Sequence, residues 1–156
     1  MTRIAAFLVL IILLALHAAW RGGAPERLAA AAMLSATVAT SLTNLQVALP
    51  FREVQWPLVW IDAVLFVALF AIALMANRFW PLWVAALQCV ALAAHAARAF
   101  DPGILPLAYW WIVGKLSYPM LFLLMVGTER HYRRRRGGAR DPAWSITRRR
   151  RTAVSP

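Results

Sequence analysis

Four residues in an otherwise apolar sequence have the chemistry to do more than pack: Asn44, Asp62, His95 and Lys115. A carboxyl, an imidazole and an ammonium group can exchange protons or hold a charged ligand. An ionisable side chain inside a membrane segment is a functional candidate by default, because burying its charge is costly. Asp62 and His95 stand almost equally far from Phe79 along the chain. A helical hairpin folded about Asn77-Arg78-Phe79 therefore brings them level, since both helices rise equally per residue. Asn44, shortly before Pro50, reaches a similar depth. The long stem of Lys115 lets its ammonium extend outward to the same level. The expected layer has Asp62 as a proton carrier and His95 or Lys115 as its counter-charge. The same residues also fit a satisfied ion pair that fixes helix register.

Thr37, Thr40, Ser41 and Asn44 recur at i, i+3, i+4 and i+7, which is one face of a helix. Small hydroxyl and amide groups let helices approach closely and hydrogen-bond across the gap, so this stripe reads first as a packing seam. The familiar catalytic and phosphate-binding motifs are absent, and no His, Cys and acid cluster has metal spacing. No catalytic residue, metal or cofactor is expected. Cys89 sits in an apolar run, which reads as a small buried hydrophobe and an inert thiol.

These residues must be positioned by helices. The chain has 156 residues, 62% of them hydrophobic, and a mean hydropathy of +0.63. A soluble domain is about 45–50% apolar, so lipid is the expected solvent. Five segments approach the roughly 20 apolar residues that a spanning helix needs: about 4–20, 28–49, 57–76, 81–99 and 104–126. The fold expected is an all-α, polytopic transmembrane helix bundle of about five spans. It occupies residues 1–128, followed by a basic cytoplasmic tail over 129–156. Gly22-Gly23-Ala24-Pro25, Pro50, Asn77 and Asp101-Pro102-Gly103 punctuate the segments. Pro57 and Pro81 fall in first turns, where a missing N–H is harmless.

Charge sets the orientation. Residues 129–156 hold ten arginines against Glu129 and Asp141. Basic flanks stay in the cytoplasm, so five spans place the N-terminus outside. Arg21, Arg27 and Arg78 then lie inside and Arg3, Arg52 and Arg98 outside, a tie that the tail breaks. Trp20, Trp80 and Trp83 mark the inner interface, and Trp56, Trp60, Tyr109 and Trp110 the outer one. The first segment resembles a signal peptide, but its removal would leave four spans and export the tail, so a retained helix is expected. His17 is read as interfacial. Sixteen arginines against one lysine, with abundant alanine, fit a GC-rich bacterial genome and hence an inner membrane.

Two blocks, Arg133, Arg134, Arg135, Arg136 and Arg148, Arg149, Arg150, Arg151, dominate the tail. Basic clusters just cytoplasmic of a span attract anionic headgroups at about 1 kcal/mol each. Lipid is therefore the expected contact, and no nucleic acid. The first block should end a helix continuing the fifth span, with Gly137-Gly138 as its stop. Order should fade beyond, apart from Trp144 and Ile146 dipping into the interface.

Arg78-Phe79-Trp80-Pro81-Leu82-Trp83, Asp101-Pro102, Ala108-Tyr109 and Tyr118-Pro119-Met120-Leu121 carry a family likeness. Over residues 77–136 the chain resembles small, uncharacterised polytopic membrane proteins of alphaproteobacteria, especially those of sphingomonads. That resemblance implies a membrane fold and assigns no activity. The number of helices and the tryptophan content invite comparison with the tryptophan-rich sensory proteins, but a WxPP-like segment is missing. Two functions follow: an accessory or interaction protein, binding a larger membrane partner or a second copy, or a small transporter or sensor built on the polar layer. An enzyme is not expected, since no nucleophile–base pair is visible.

Overall fold

A computed structural model describes residues 2–44, 55–100, 106–138 and 142–145. Five helices make up the fold: α1 (Thr2–Arg21), α2 (Ala24–Asn44), α3 (Trp56–Met75), α4 (Trp80–Phe100) and α5 (Pro106–Arg136). The chain is all-α, and among the described residues the only extended pairing is an isolated bridge between Ala76 and Trp144.

Local chemistry sets the boundaries. Gly22 closes α1 with its N–H on the Ala18 carbonyl at 2.9 Å. The Gly23 N–H then donates to the Glu26 carboxylate at 3.0 Å. That is the reciprocal half of a capping box, in which a third-position acid satisfies the N-cap amide. It starts α2 at Ala24, four residues before the apolar segment read from the sequence. Pro57 occupies the first turn of α3, and Leu58 and Val59 donate to the Gln55 carbonyl. α5 runs through Pro119 without stopping and ends at Arg136. Gly138 follows with φ of 75°, a left-handed turn that glycine takes without steric cost.

The helices form a ring: α1 packs on α2, α2 on α3, α3 on α4, α4 on α5, and α5 returns to α1, with α2 and α5 touching across the middle. The start of α2, the start of α4 and the end of α5 meet at one end of the bundle, through Glu26, Trp80 and His131. α1, α3 and α5 therefore all finish at that end. The core is apolar, with Met33, Leu69, Ile72, Val84, Leu121 and Leu124 buried. Ala18, Ala29, Ala30 and Ala85 let the backbones close up.

The outside is apolar too. Trp60 is 69% exposed, and Val64, Val67 and Leu74 continue its stripe along α3. Glu26, Gln88, His95, Arg98, Thr128 and His131 are buried. Among the described residues, α3 and α4 are long and apolar enough to cross a membrane. Only 17% of the apolar stretch of α3 is buried within the chain, unlike the core helix of a soluble protein.

Gly127 of α5 lies tight against Trp80 at the start of α4. A Cβ built there would stand 2.7 Å from the Trp80 indole. Gly127→Ala is expected to destabilise the bundle by about 1–2 kcal/mol. The overpacking penalty of about 1–3 kcal/mol is partly offset by the better helix propensity of alanine. Thermal unfolding in detergent checks this, and an unchanged or higher Tm counts against the tight packing.

Candidate functional site

α4 presents Pro81, Val84, Ala85, Gln88, Ala91, His95 and Arg98 to the bundle interior. This is the three-four spacing of one helix face, and it carries three polar groups inward. Gln88 and His95 are two turns apart, and both reach Asp62 on α3. His95 Nε2 lies 2.7 Å from Asp62 Oδ2. Gln88 Nε2 donates to Asp62 Oδ1 at 3.0 Å and to the Asp62 carbonyl at 3.2 Å. The imidazole is 2% exposed and the carboxylate 22%.

Carboxyl and imidazole can share one proton with no net charge, as Asp⁻/HisH⁺ or AspH/His. In either form the pair adds no net charge to the bundle interior. Gln88 fixes the other carboxylate oxygen, which aims Oδ2 at the ring. Arg98, one turn beyond His95, is buried on the same face and adds positive charge there.

The remaining residues of the expected layer are placed differently. Lys115 Nζ stands over the Tyr118 ring on its own helix, 5.5 Å from the centroid. This cation–π contact holds the ammonium near an aromatic face. Asn44 ends α2, and its side chain lies outside the described residues. Thr37 and Ser41 donate to the Met33 and Thr37 carbonyls at 2.8 Å within α2. These hydroxyls are spent on their own helix. Cys89, expected to be buried, is exposed, because it sits one residue off the inward face of α4.

A second polar cluster lies at the opposite end of the bundle, where α1 turns into α2 and α3 into α4. Glu26 is 0% exposed. Its carboxylate pairs with Arg78 and accepts from Trp80 Nε1 at 3.1 Å, besides the Gly23 N–H at 3.0 Å. Arg78, in the α3–α4 turn, also reaches His131 Nδ1 at 2.8 Å through Nη2. Glu26 and His131 were not singled out from the sequence. The signal for Glu26 was its third-position spacing after Gly23. That for Gln88 was its seven-residue spacing to His95. Nothing local pointed to His131, whose partner comes from a distant turn.

Arg133, Arg134, Arg135 and Arg136 form the last turn of α5 and are exposed. Arg133 donates to Glu129 at 2.7 Å, one turn back. That bond holds the Glu129 carboxyl below its usual range, so the contact is present near neutrality and fades as pH falls through the lowered value. Arg148, Arg149, Arg150 and Arg151 lie outside the described residues, as does Ile146. Residues 142–145 depart from the fading order expected beyond Gly137. The Asn77 N–H donates to the Ala143 carbonyl at 3.2 Å, and Trp144 packs against the core. The partly buried indole and the spare backbone groups of Ala76 and Asn77 explain the docking.

Among the described residues no group of three or more His, Cys, Asp or Glu side chains is placed to hold a metal ion. Comparison with protein-family models, curated proteins and solved structures finds no match to this chain.

Proposed function

We propose that this chain is a five-span protein of the bacterial inner membrane, N-terminus outside and C-terminus cytoplasmic. Its Asp62–His95 pair binds a proton, and the protein serves as a small sensor or transporter. The observation that carries this reading is the 2.7 Å contact between a buried imidazole and a carboxylate that keeps one side open. Carboxylate–imidazole pairs inside membrane bundles are suited to proton relay. The outward apolar stripe of α3 and the inward polar stripe of α4 support lipid as the solvent of the bundle. The arginines that end α5 suit contact with anionic headgroups. On this reading the chain is of a kind with the small alphaproteobacterial membrane proteins that residues 77–136 resemble.

An accessory role is the second reading. The stripe of Trp60, Val64, Val67 and Leu74, being so little covered within the chain, would then seat a larger membrane protein rather than lipid alone. Infrared difference spectra of the purified protein in lipid, recorded across a pH titration, separate the two. The proton reading expects a carboxyl C=O band that titrates in the wild type and is missing in Asp62→Asn. A wild-type spectrum without such a band leaves the accessory role. A reporter fused after Pro156 should be active only in the cytoplasmic form.

A further inference from the structure

α1 and α5 run in the same direction, and two contacts set their register. Phe7 meets Tyr118 edge-on, with ring centroids 5.4 Å apart. Arg21 lies over Tyr132, its guanidinium carbon 4.7 Å from the ring centroid. Phe7 and Arg21 are two heptads apart on α1, and so are Tyr118 and Tyr132 on α5. A heptad returns nearly to the same helix face, so one seam carries both contacts.

Tyr132 holds a second guanidinium. Arg136, one turn further along α5, has its guanidinium carbon 5.3 Å from the same centroid. A guanidinium drawn to a ring face keeps its N–H edge for oxygen ligands, and that planar fork matches a phosphate. Both arginines are exposed, and their long stems let both edges turn to one anion. The carboxylate of this seam, Glu129, is engaged by Arg133 at 2.7 Å. It is held low first by that bond, and further by Arg21 and His17 across the seam. Three guanidiniums therefore meet one carboxylate, and positive charge is in excess.

Apolar surface leads up to this cluster. On α5, Phe122 and Met125 are exposed and share a helix face with Tyr132 and Arg136 by their spacing. On α1, Leu13, Leu16 and Trp20 are exposed, the indole at 84%. Tryptophan beside arginine suits a helix end at headgroup level. An inorganic anion would use the cations alone, whereas a lipid uses the cations and the apolar flank together.

We propose that Arg21, Tyr132 and Arg136 form a binding site for the phosphate of one anionic phospholipid, whose chains lie along the seam between α1 and α5. The site rests on the reading of lipid as the solvent of the bundle, and it adds a defined seat to general attraction by the arginines. Because the ring holds one guanidinium from each helix, the phosphate ties the first helix to the fifth.

Native mass spectrometry of the full chain, released from detergent with phosphatidylglycerol or phosphatidylcholine, tests this. The wild type should retain one phosphatidylglycerol roughly tenfold more tightly than phosphatidylcholine. Arg21→Gln and Arg136→Gln should each weaken phosphatidylglycerol roughly fivefold. Arg148→Gln with Arg149→Gln removes the same charge as those two together, and should cost less than about twofold. Tyr132→Leu changes no charge at neutral pH and should still weaken binding roughly threefold, while Tyr132→Phe keeps the ring and should match the wild type. Equal losses from the tail pair and the seam pair overturn the site, as does a folded Tyr132→Leu that binds like the wild type. Should Tyr132→Leu fail to fold, the contrast between the two arginine pairs decides. Full displacement of the lipid by an equal concentration of inorganic phosphate assigns the site to a free anion and overturns the lipid. A chain that needs detergent yet holds both lipids alike overturns this site alone. One that stays monodisperse without detergent overturns the membrane reading with it.

Discussion

Arg78→Met is expected to be the most damaging single substitution in the chain, costing about 3–5 kcal/mol, the usual penalty for removing one partner of a buried ion pair. The reason is Glu26. Its carboxylate is 0% exposed and the Arg78 side chain 5%, and without the guanidinium its charge is left to two neutral donors, the Gly23 amide and the Trp80 indole. His131 loses its donor in the same step. Adding Glu26→Gln should return much of the loss, because the amide keeps an oxygen for Gly23 or Trp80 and removes the stranded charge. Equilibrium unfolding of the two single variants and the double one measures the coupling. If the losses simply add, Glu26 and Arg78 do not act as a pair, and the capping of α2 is independent of the α3–α4 turn.

The second large effect is expected at Asp62, and it depends on the replacement. Asp62→Leu removes the carboxylate from both His95 and Gln88, and leaves Gln88 its longer bond to the Asp62 carbonyl. Each lost bond to the carboxylate costs about 1–3 kcal/mol, so a total of about 3 kcal/mol is expected. Asp62→Asn retains a carbonyl oxygen and a similar shape. It should cost less than about 1.5 kcal/mol, the net value of an ordinary hydrogen bond. His95→Leu placed on Asp62→Leu should cost less than His95→Leu alone, since its contact with Asp62 is already gone. Measured stabilities in which Asn and Leu are equally harmful would show that the carboxylate charge, rather than its hydrogen bonds, holds α3 to α4.

The Asp62–His95 pair was legible in the sequence because everything that sets its geometry is local. One short turn at Asn77–Phe79 joins α3 and α4, and equal rise along antiparallel helices brings Asp62 opposite His95. The role expected of Lys115 rested on reach alone, and an aromatic ring one turn away offers its ammonium a nearer contact. Glu26 falls just before the second apolar segment, which begins at Leu28. The helix begins earlier since capping and Arg78 together neutralise the acid. His131 and Trp144 depend on contacts with residues more than fifty positions away. No periodicity in a basic, glycine-interrupted segment reports such pairings. Helix number followed from apolar length, whereas the closure of the ring by α1 on α5 had no signature in either helix.

That closure bears on how the protein is made. α1 packs on α2 and on α5, the helices next after it and last in the ring. During synthesis α1 and α2 emerge as a hairpin, but the flank of α1 that belongs to α5, including Phe7 with its edge-on contact to Tyr118, stays bare until α2, α3 and α4 have followed. Completing the bundle is thus a late event that joins the first helix to the fifth. A chain that stalls after α4 would leave α1 and α4 with open sides and His131 not yet delivered to Arg78. Such an unfinished bundle would be distinguishable to proteases by the very surfaces that the finished one conceals.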